Sequence, residues 1–223
     1  KEVLGSDVVP VETEIRLIDE QISRIQVIVN KLLQFARPGD FAGHLEDTDV
    51  NACISDCLVL TRHNMRRTGV AVETTLQAGA SIEMNCVELQ QVLINLIVNA
   101  LQAMPSGGTL TLETHDAGAE EAAALGIELF EGVVIRVRDT GHGIQPEILG
   151  RIFDPFFTTK KQTGTGLGLS ISYAIVQRYG GGIAVESKPG QGTTFTIWLR
   201  RSPLFAGGDT QAPAFSAQFL QRI

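Results

Sequence analysis

Three features are scarce in this sequence: excess positive charge, long apolar runs and cysteine. The 18 lysines and arginines against 25 aspartates and glutamates give a net charge of −7, which argues against a nucleic-acid partner. No apolar run approaches the roughly 20 residues that a membrane-spanning helix needs. Cys53, Cys57 and Cys86 are odd in number and lack C-x-x-C spacing, which predicts reduced, mostly buried thiols in a cytoplasmic chain. The 223 residues, 43% of them hydrophobic, suit one domain with an appended helix.

Glycine, in contrast, is concentrated in two loops. The first reads Asp139-Thr-Gly-His-Gly-Ile144 and the second reads Gly164-Thr-Gly-Leu-Gly-Leu-Ser170. Glycine lets the backbone approach a phosphate and present its N–H groups, so the two loops together predict a bound nucleotide. Neither loop has the lysine of a Walker motif or the G-x-G-x-x-G pattern after a strand, which disfavours P-loop and dinucleotide-binding folds.

The second loop leads into a predicted helix. Apolar residues at helical spacing predict this helix from about Leu167 to Tyr179. Gly164, Gly166 and Gly168 then lie at its N-terminus, where free backbone N–H groups and the helix dipole favour a phosphate.

The first loop follows a predicted strand, because residues 133–138 are rich in valine and alternate in polarity. The strand delivers Asp139 to its end, where the carboxylate can accept a hydrogen bond from the exocyclic amine of adenine. The alternative is that Asp139 forms only a local Asx turn, which would be the better interpretation without the second loop.

A predicted helix near Glu88 to Met104 carries two amides on an otherwise apolar side. Asn95 and Asn99 are four residues apart and share one face. An unpaired buried amide costs about 1–3 kcal/mol, so a ligand is one expected partner, and an amide oxygen suits Mg²⁺. The alternative is a pair of exposed or mutually bonded asparagines.

The succession of motifs resembles a known family. In chain order the motifs are Asn95 to Asn99, Asp139 to Ile144, Phe153 to Lys160, Gly164 to Leu169 and Gly190 to Phe195. From about Arg16 to Arg200 the chain resembles the catalytic ATP-binding region of bacterial sensor histidine kinases. The resemblance implies an α/β fold, a two-layer sandwich of a mixed sheet and about three helices shared with gyrase and mismatch-repair ATPases, with ATP beneath a lid.

The resemblance also implies roles for individual residues. Asn99 is expected to bind Mg²⁺, Asn95 to lie beside the triphosphate, and Asp139 to select adenine. The other expected nucleotide-binding residues are Gly141, Gly143 and Ile144 of the first loop, Phe157, Thr158, Thr159 and Lys160 between the loops, Gly164, Thr165, Gly166, Leu167, Gly168 and Leu169 of the second loop, and Thr193, whose hydroxyl would support Asp139.

One position departs from the family pattern. Gln102 stands where many relatives have a lysine that touches phosphate, so Lys160 or Lys161 is expected to supply that charge, with Lys160 acting as a catalytic residue beside Asn95. A solvated Lys160 is the alternative. Phe153, Phe156 and Phe157 resemble the aromatic anchor of the lid; the short segment 161–163 that follows is expected to be poorly ordered without nucleotide.

Asn95 favours phosphoryl transfer over hydrolysis. Hydrolytic relatives have a glutamate at this position that activates water, and an amide cannot take that proton. The expected activity is therefore transfer of the γ-phosphoryl group of Mg-ATP to a histidine, for relay to an aspartate of a response-regulator receiver domain. The alternatives are an ATP-hydrolysing clamp and a nucleotide-binding module without turnover.

The N-terminal region predicts a bundle helix. Six apolar residues between Ile15 and Leu32 alternate steps of three and four, and Pro38 ends the pattern. By resemblance this is the second helix of a dimerisation hairpin, which implies a homodimeric parent. The expected domains are 1–38, a partial hairpin; 39–201, the ATP-binding domain; and 202–223, a flexible tail. None of the four histidines precedes an acidic residue and proline, so we expect the acceptor to lie upstream of this chain.

The remaining predicted elements alternate along the ATP-binding region. They are a helix near Val50 to Arg67 and strands near Val70 to Leu76, Ser81 to Met84, Thr109 to Thr114, Gly182 to Glu186 and Thr193 to Leu199. A solvent loop is expected from Asp116 to Leu125.

Overall fold

The computed structural model describes residues 14–15, 45–117, 131–160 and 164–203. The chain divides into two units, Lys1–Ala42 and Gly43–Ile223. In the first unit the described residues are Glu14 and Ile15, which are helical and exposed. The rest of the predicted bundle seam, the lid segment 161–163, the tail after residue 203 and most of the loop after Asp116 lie outside the described residues.

The second unit contains helices and strands within two residues of each predicted one. The elements are β1 (Asp47–Thr48), α1 (Val50–Thr68), β2 (Val70–Leu76), β3 (Ile82–Glu83), α2 (Cys86–Ala103), β4 (Gly108–Asp116), β5 (Gly132–Asp139), α3 (Pro146–Leu149), α4 (Gly168–Arg178), β6 (Gly182–Lys188) and β7 (Gly192–Arg200). The sequence did not predict β1 or α3, because both are too short to show a periodic pattern.

Five strands form one mixed sheet in the order β2-β4-β5-β7-β6. β2 and β4 are parallel, and the other neighbouring pairs are antiparallel. On β5, Val133, Ile135 and Val137 belong to the hydrophobic core, whereas Arg136 and Arg138 lie on the opposite face. One face of the sheet therefore packs against the three longer helices, and the predicted two-layer α/β sandwich is confirmed.

α2 is the central helix of this sandwich. Asn85 caps its N-terminus by accepting a hydrogen bond from the backbone N–H of Glu88. Among the described helices, α2 alone has the length and composition that would allow a membrane crossing. Its apolar face is instead buried in the core of the second unit, through Leu89, Val92, Leu93, Leu96, Ile97, Ala100 and Leu101. This packing leaves Asn95 and Asn99 half-buried at the edge of the apolar face.

The cysteines of α1 and α2 agree with the sequence prediction. Cys53 and Cys57 are buried between the helices, and Cys86 is half-buried at the start of α2; all three are free thiols.

Candidate nucleotide-binding site

The two asparagines of α2 have different hydrogen-bond partners, one on α4 and one in the segment between the two glycine loops. Asn95 donates a hydrogen bond from Nδ2 to Oγ of Ser172 on α4, at 2.9 Å. Asn99 accepts a hydrogen bond through Oδ1 from Nζ of Lys160, at 3.4 Å. The two amides are thus neither exposed nor bonded to each other, and that alternative is wrong.

The N-terminus of α4 lies directly against Asn95. Gly168 is the first residue of α4, and a Cβ atom there would overlap the Asn95 amide, with Nδ2 only 2.8 Å away. Gly168 therefore allows the helix start, with its free N–H groups, to approach Asn95. The predicted phosphate seat and the predicted triphosphate residue are brought together.

Lys160 reaches the last turn of α2. Its ammonium donates hydrogen bonds to Asn99 and to Oε1 of Gln102, the residue that departs from the family pattern. Burial of the lysine lowers the pKa of Lys160 below its usual range. The cation is thus held beside Asn99 by its contacts with Asn99 and the uncharged Gln102.

The second glycine loop is fitted to the segment that precedes it. Gly166 has a φ of +68°, and a Cβ atom there would lie 2.6 Å from the carbonyl oxygen of Phe156. Phe156 itself has a φ of 67°, a conformation that a non-glycine residue seldom adopts. A Cβ atom on Gly164 would overlap Oγ1 of Thr158. These two glycines are therefore required by the packing of the loop against residues 156–158.

The other predicted residues around this loop differ in exposure. Leu167 is buried in the core, so its side chain supports the loop and only its backbone can face a ligand. Thr165 and Leu169 are half-buried, and Thr158 and Thr159 are exposed. Phe157 is half-buried beneath the Arg151 guanidinium, whose Cζ lies 4.7 Å from the ring centroid.

Asp139 is buried at the end of β5, with 4% of its surface exposed. Its carboxylate accepts hydrogen bonds from the backbone N–H groups of Gly141, at 2.8 Å, and of Thr193. Burial raises the pKa of Asp139, and the two backbone hydrogen bonds oppose this effect. The Gly141 contact is an Asx turn, so the local alternative is present, but a carboxylate has about four acceptor sites and retains capacity for an amine donor.

Thr193 contacts Asp139 through its backbone, and the expected support through its hydroxyl stays a prediction. Its backbone N–H bonds the carboxylate, whereas its hydroxyl lies 3.0 Å from Oγ of Ser187. Ser187 also accepts a hydrogen bond from the backbone N–H of Ile144, at 2.8 Å. β6 and β7 therefore hold both ends of the first glycine loop.

The first loop is also anchored on α2. The backbone N–H of His142 donates to the carbonyl oxygen of Ala103, at 3.2 Å, and a Cβ atom on Gly141 would lie 2.6 Å from that oxygen. Gly143, with a φ of +69°, lies against the backbone of Lys188. Asn99 and Ala103 are one turn apart, about 6 Å along the helix axis. The predicted adenine and phosphate residues thus meet on one short stretch of α2.

Comparison with known proteins decides the family. Residues 84–203, more than half of the chain, match the family described as histidine kinase-, DNA gyrase B- and HSP90-like ATPase. The chain belongs to this ATPase family. Sensor kinase CckA of Brucella abortus (strain 2308) is 38% identical over 84% of the chain and 20% of CckA. Sensor histidine kinase ZraS of Escherichia coli (strain K12) is 34% identical over 82% of the chain and 37% of ZraS.

Solved structures place the ATPase domain among the histidine kinases. The catalytic domain of histidine kinase ThkA is 27% identical, with a TM-score of 0.59, over 72% of the chain and 98% of that domain. Two structures at 24% identity share the fold. Full-length ShkA in complex with AMPPNP has a TM-score of 0.70 and covers 87% of this chain and 40% of ShkA. ThkA in complex with response regulator protein TrrA has a TM-score of 0.64 and covers 86% of this chain and 52% of the matched ThkA–TrrA chain. The chain is the catalytic ATPase domain of a sensor histidine kinase of the two-component type.

Sequence reasoning missed two residues that contact predicted site residues, Ser172 and Ser187. Ser172 falls on the same helical face as Gly168, four residues earlier, which is a local signal that could have found it. Ser187 had no such signal, because only strand pairing brings it to Thr193. Among the residues that the structure describes, no group of three or more His, Cys, Asp or Glu could hold a metal ion.

Proposed function

We propose that this domain binds Mg-ATP between α2, α4 and the first glycine loop, and that it transfers the γ-phosphoryl group to a histidine on a helix upstream of Lys1. The observation that carries the proposal is Asn95 at the N-terminus of α4. An amide beside the phosphate seat can position a phosphoryl group, but it cannot remove a proton from water. Transfer to a side chain needs mainly positioning and charge stabilisation, which the surrounding groups supply.

The adenine assignment is supported by the chemistry of Asp139. A carboxylate that is buried and held by two backbone donors has a fixed orientation, and its remaining lone pairs can accept from an exocyclic amine. Gly141 and Gly143 lack side chains where the loop contacts Ala103 and Lys188, so the pocket beside Asp139 has walls made of backbone.

The residues present also fit a magnesium ion. The Lys160 ammonium lies against the amide oxygens of Asn99 and Gln102, so a cation already occupies the place where Asn99 would meet the metal. Mg²⁺ commonly takes one or two protein oxygens and completes its shell with phosphates and water. When bound, the ion would neutralise phosphate charge. The Lys160 ammonium would then be free to contact phosphate oxygens instead of the Asn99 oxygen.

The relatives suggest the partners of the longer protein. The chain spans less than two-fifths of the curated relatives CckA and ZraS. We infer that the longer protein is a homodimer and that a response-regulator receiver domain takes the phosphoryl group on an aspartate, since ThkA is known in complex with TrrA. ATP supply and the relay both favour a cytoplasmic domain, in a parent that can be membrane-anchored elsewhere.

The test determines which group receives the γ-phosphate of ATP. The longer protein, with the helix upstream of Lys1, is incubated with γ-labelled ATP and Mg²⁺. We expect label on the protein that acid releases and base does not, as for a phosphohistidine, and no label when Asn99 is replaced by Ala. Loss of ATP with only free phosphate as product would favour the hydrolysing clamp, and binding without loss of ATP would favour a module without turnover.

A further inference from the structure

The side chain of Asn95 is held from two sides by α4. Gly168 and Ser172 are one helical turn apart, and both lie against the amide. At Gly168 the amide occupies the space that a Cβ atom would need, and Ser172 accepts the 2.9 Å hydrogen bond from Nδ2. Ser172 is 1% exposed, so water cannot replace its hydroxyl as the partner of Nδ2. The amide is therefore fixed by a buried hydroxyl that lies outside the predicted nucleotide-binding residues 164–169.

The orientation of this amide has chemical consequences. The two ends of an asparagine side chain are nearly equal in shape, but one accepts and the other donates hydrogen bonds. At Asn95 the oxygen is the end nearer Gly168, at the positive N-terminus of α4, and the nitrogen is bonded one turn further along at Ser172. A half-turn of the amide would exchange an acceptor for a donor beside the phosphate seat.

We propose that Ser172 is a positioning residue that acts through Asn95. By holding Nδ2, it fixes the orientation of the amide across the start of α4, with Oδ1 nearer Gly168. This inference rests on the proposed role of Asn95 at the triphosphate. It assigns to Ser172 an effect on the rate of phosphoryl transfer rather than on nucleotide binding, because the Ser172 hydroxyl is buried against Asn95.

Thr61 on α1 provides a control outside the site. It is also buried, with 3% exposed, and its hydroxyl donates to the backbone carbonyl oxygen of Cys57, at 2.7 Å. Ser172→Ala and Thr61→Val each remove one buried hydroxyl from a helix. A difference between the two variants therefore reports on the contact with Asn95 and not on the loss of a buried hydroxyl as such.

The experiment is a double-mutant cycle in the longer kinase. We expect Ser172→Ala to lower the kcat of phosphoryl transfer about tenfold, with KM for Mg-ATP changed less than about twofold, the loss expected for one buried hydrogen bond. Thr61→Val should stay within about twofold of the wild type for both constants. In the Asn95→Ala background, Ser172→Ala should cause no further loss, because its effect passes through the missing amide. Ser172→Thr, which keeps the hydroxyl, should restore most of the rate.

The outcomes separate this inference from the proposed function. An equal loss from Ser172→Ala with and without Asn95, or no loss at all, would overturn the positioning role. If the wild type releases only free phosphate, transfer is wrong, and the same cycle is then measured on the rate of phosphate release. Thermal unfolding checks the fold of every variant, and Ser172→Cys, which keeps the volume but bonds weakly, replaces Ser172→Ala if that protein is unstable.

Discussion

At the residue scale, Asp139 combines a structural bond with the proposed selection of adenine. In Asp139→Asn, one oxygen remains for the N–H of Gly141, but the NH2 group of the amide, which is a donor, replaces the second carboxylate oxygen. We expect the affinity for ATP to fall about tenfold or more, since hydrogen bonds to charged groups contribute about 1.5–3 kcal/mol. Titration with a fluorescent ATP analogue measures this. Unchanged affinity would remove the adenine assignment.

Asp116 is the control for that substitution. It also stands at a strand end and accepts hydrogen bonds from two backbone N–H groups, those of Gly79 and Ala80, but it lies at the opposite end of β4 from the site. Asp116→Asn should leave ATP affinity unchanged. Since burial raises the pKa of Asp139, its carboxylate is protonated at a higher pH than an ordinary aspartate, and ATP affinity should begin to fall correspondingly early on acidification.

Lys160 gives a second prediction at this scale, on the alkaline side. Burial lowers the pKa of Lys160, so its charge is lost at a lower pH than that of an ordinary lysine. If the ammonium contacts phosphate, affinity for Mg-ATP should weaken as the pH rises through that lowered pKa. Lys160→Arg should move the fall to higher pH, because a guanidinium remains charged.

The measurement is the dissociation constant of Mg-ATP between about pH 6 and pH 10, the range that spans lysine deprotonation. Exposed Lys188 is the control, and Lys188→Arg should reproduce the wild-type profile. A Lys160→Arg profile that overlays the wild type would instead support a solvated lysine without a phosphate contact.

At the scale of elements, the sequence predicted the periodic segments and missed the contacts between them. The apolar stripe of α2 and the alternation of β5 are local patterns, so both elements were predictable to within two residues. The bond from Asn95 to Ser172 joins residues 77 apart and depends on how α2 packs against α4. The glycines were predicted as phosphate contacts, whereas the structure adds a second reason for them, which is the close approach of protein backbone and side chains.

Gly166 tests this second reason. Gly166→Ala places a Cβ atom against the backbone of Phe156 and forces alanine to a φ near +68°. We expect the second loop to shift, with a loss of stability of at least about 1–2 kcal/mol from the φ alone and a lower affinity for Mg-ATP. Urea unfolding and nucleotide titration measure the two effects.

Gly69 separates backbone strain from steric overlap. It has the same φ of +68°, it ends α1, and a Cβ atom there would meet nothing within 4 Å. Gly69→Ala should therefore cost stability while leaving nucleotide affinity unchanged. If Gly166→Ala binds Mg-ATP as tightly as Gly69→Ala does, the packing of the loop against Phe156 is not needed for binding.

At the scale of the whole molecule, α4 has two ends with different roles. Its N-terminus meets Asn95, and its C-terminus is tied to the start of α2 through Glu88. Glu88 is buried, forms an ion pair with Arg178 and accepts a hydrogen bond from the hydroxyl of Tyr179, at 2.6 Å. The sequence did not predict this cluster, because a glutamate in the first turn of a helix is commonly a solvated charge near the dipole. The Glu88 cluster fixes the register of α2 against α4. The other contact between these two helices, from Asn95 to Ser172, orients the site.

Glu88→Gln should therefore lower stability without changing the site. Glutamine can still accept from Tyr179 but leaves Arg178, which is 25% exposed, without its carboxylate, so we expect a loss of about 2 kcal/mol in the free energy of unfolding by urea. Affinity for Mg-ATP should persist, because Glu88 lies about 10 Å along α2 from Asn95. Asp154→Asn breaks an exposed pair with Arg151, whose side chains are 49% and 65% exposed, and should change stability by less than about 1 kcal/mol. Equal losses of unfolding free energy in Glu88→Gln and Asp154→Asn would mean that the Glu88 cluster stabilises the domain no more than a surface pair. A loss of ATP affinity in Glu88→Gln would mean that the register of the two helices affects the site.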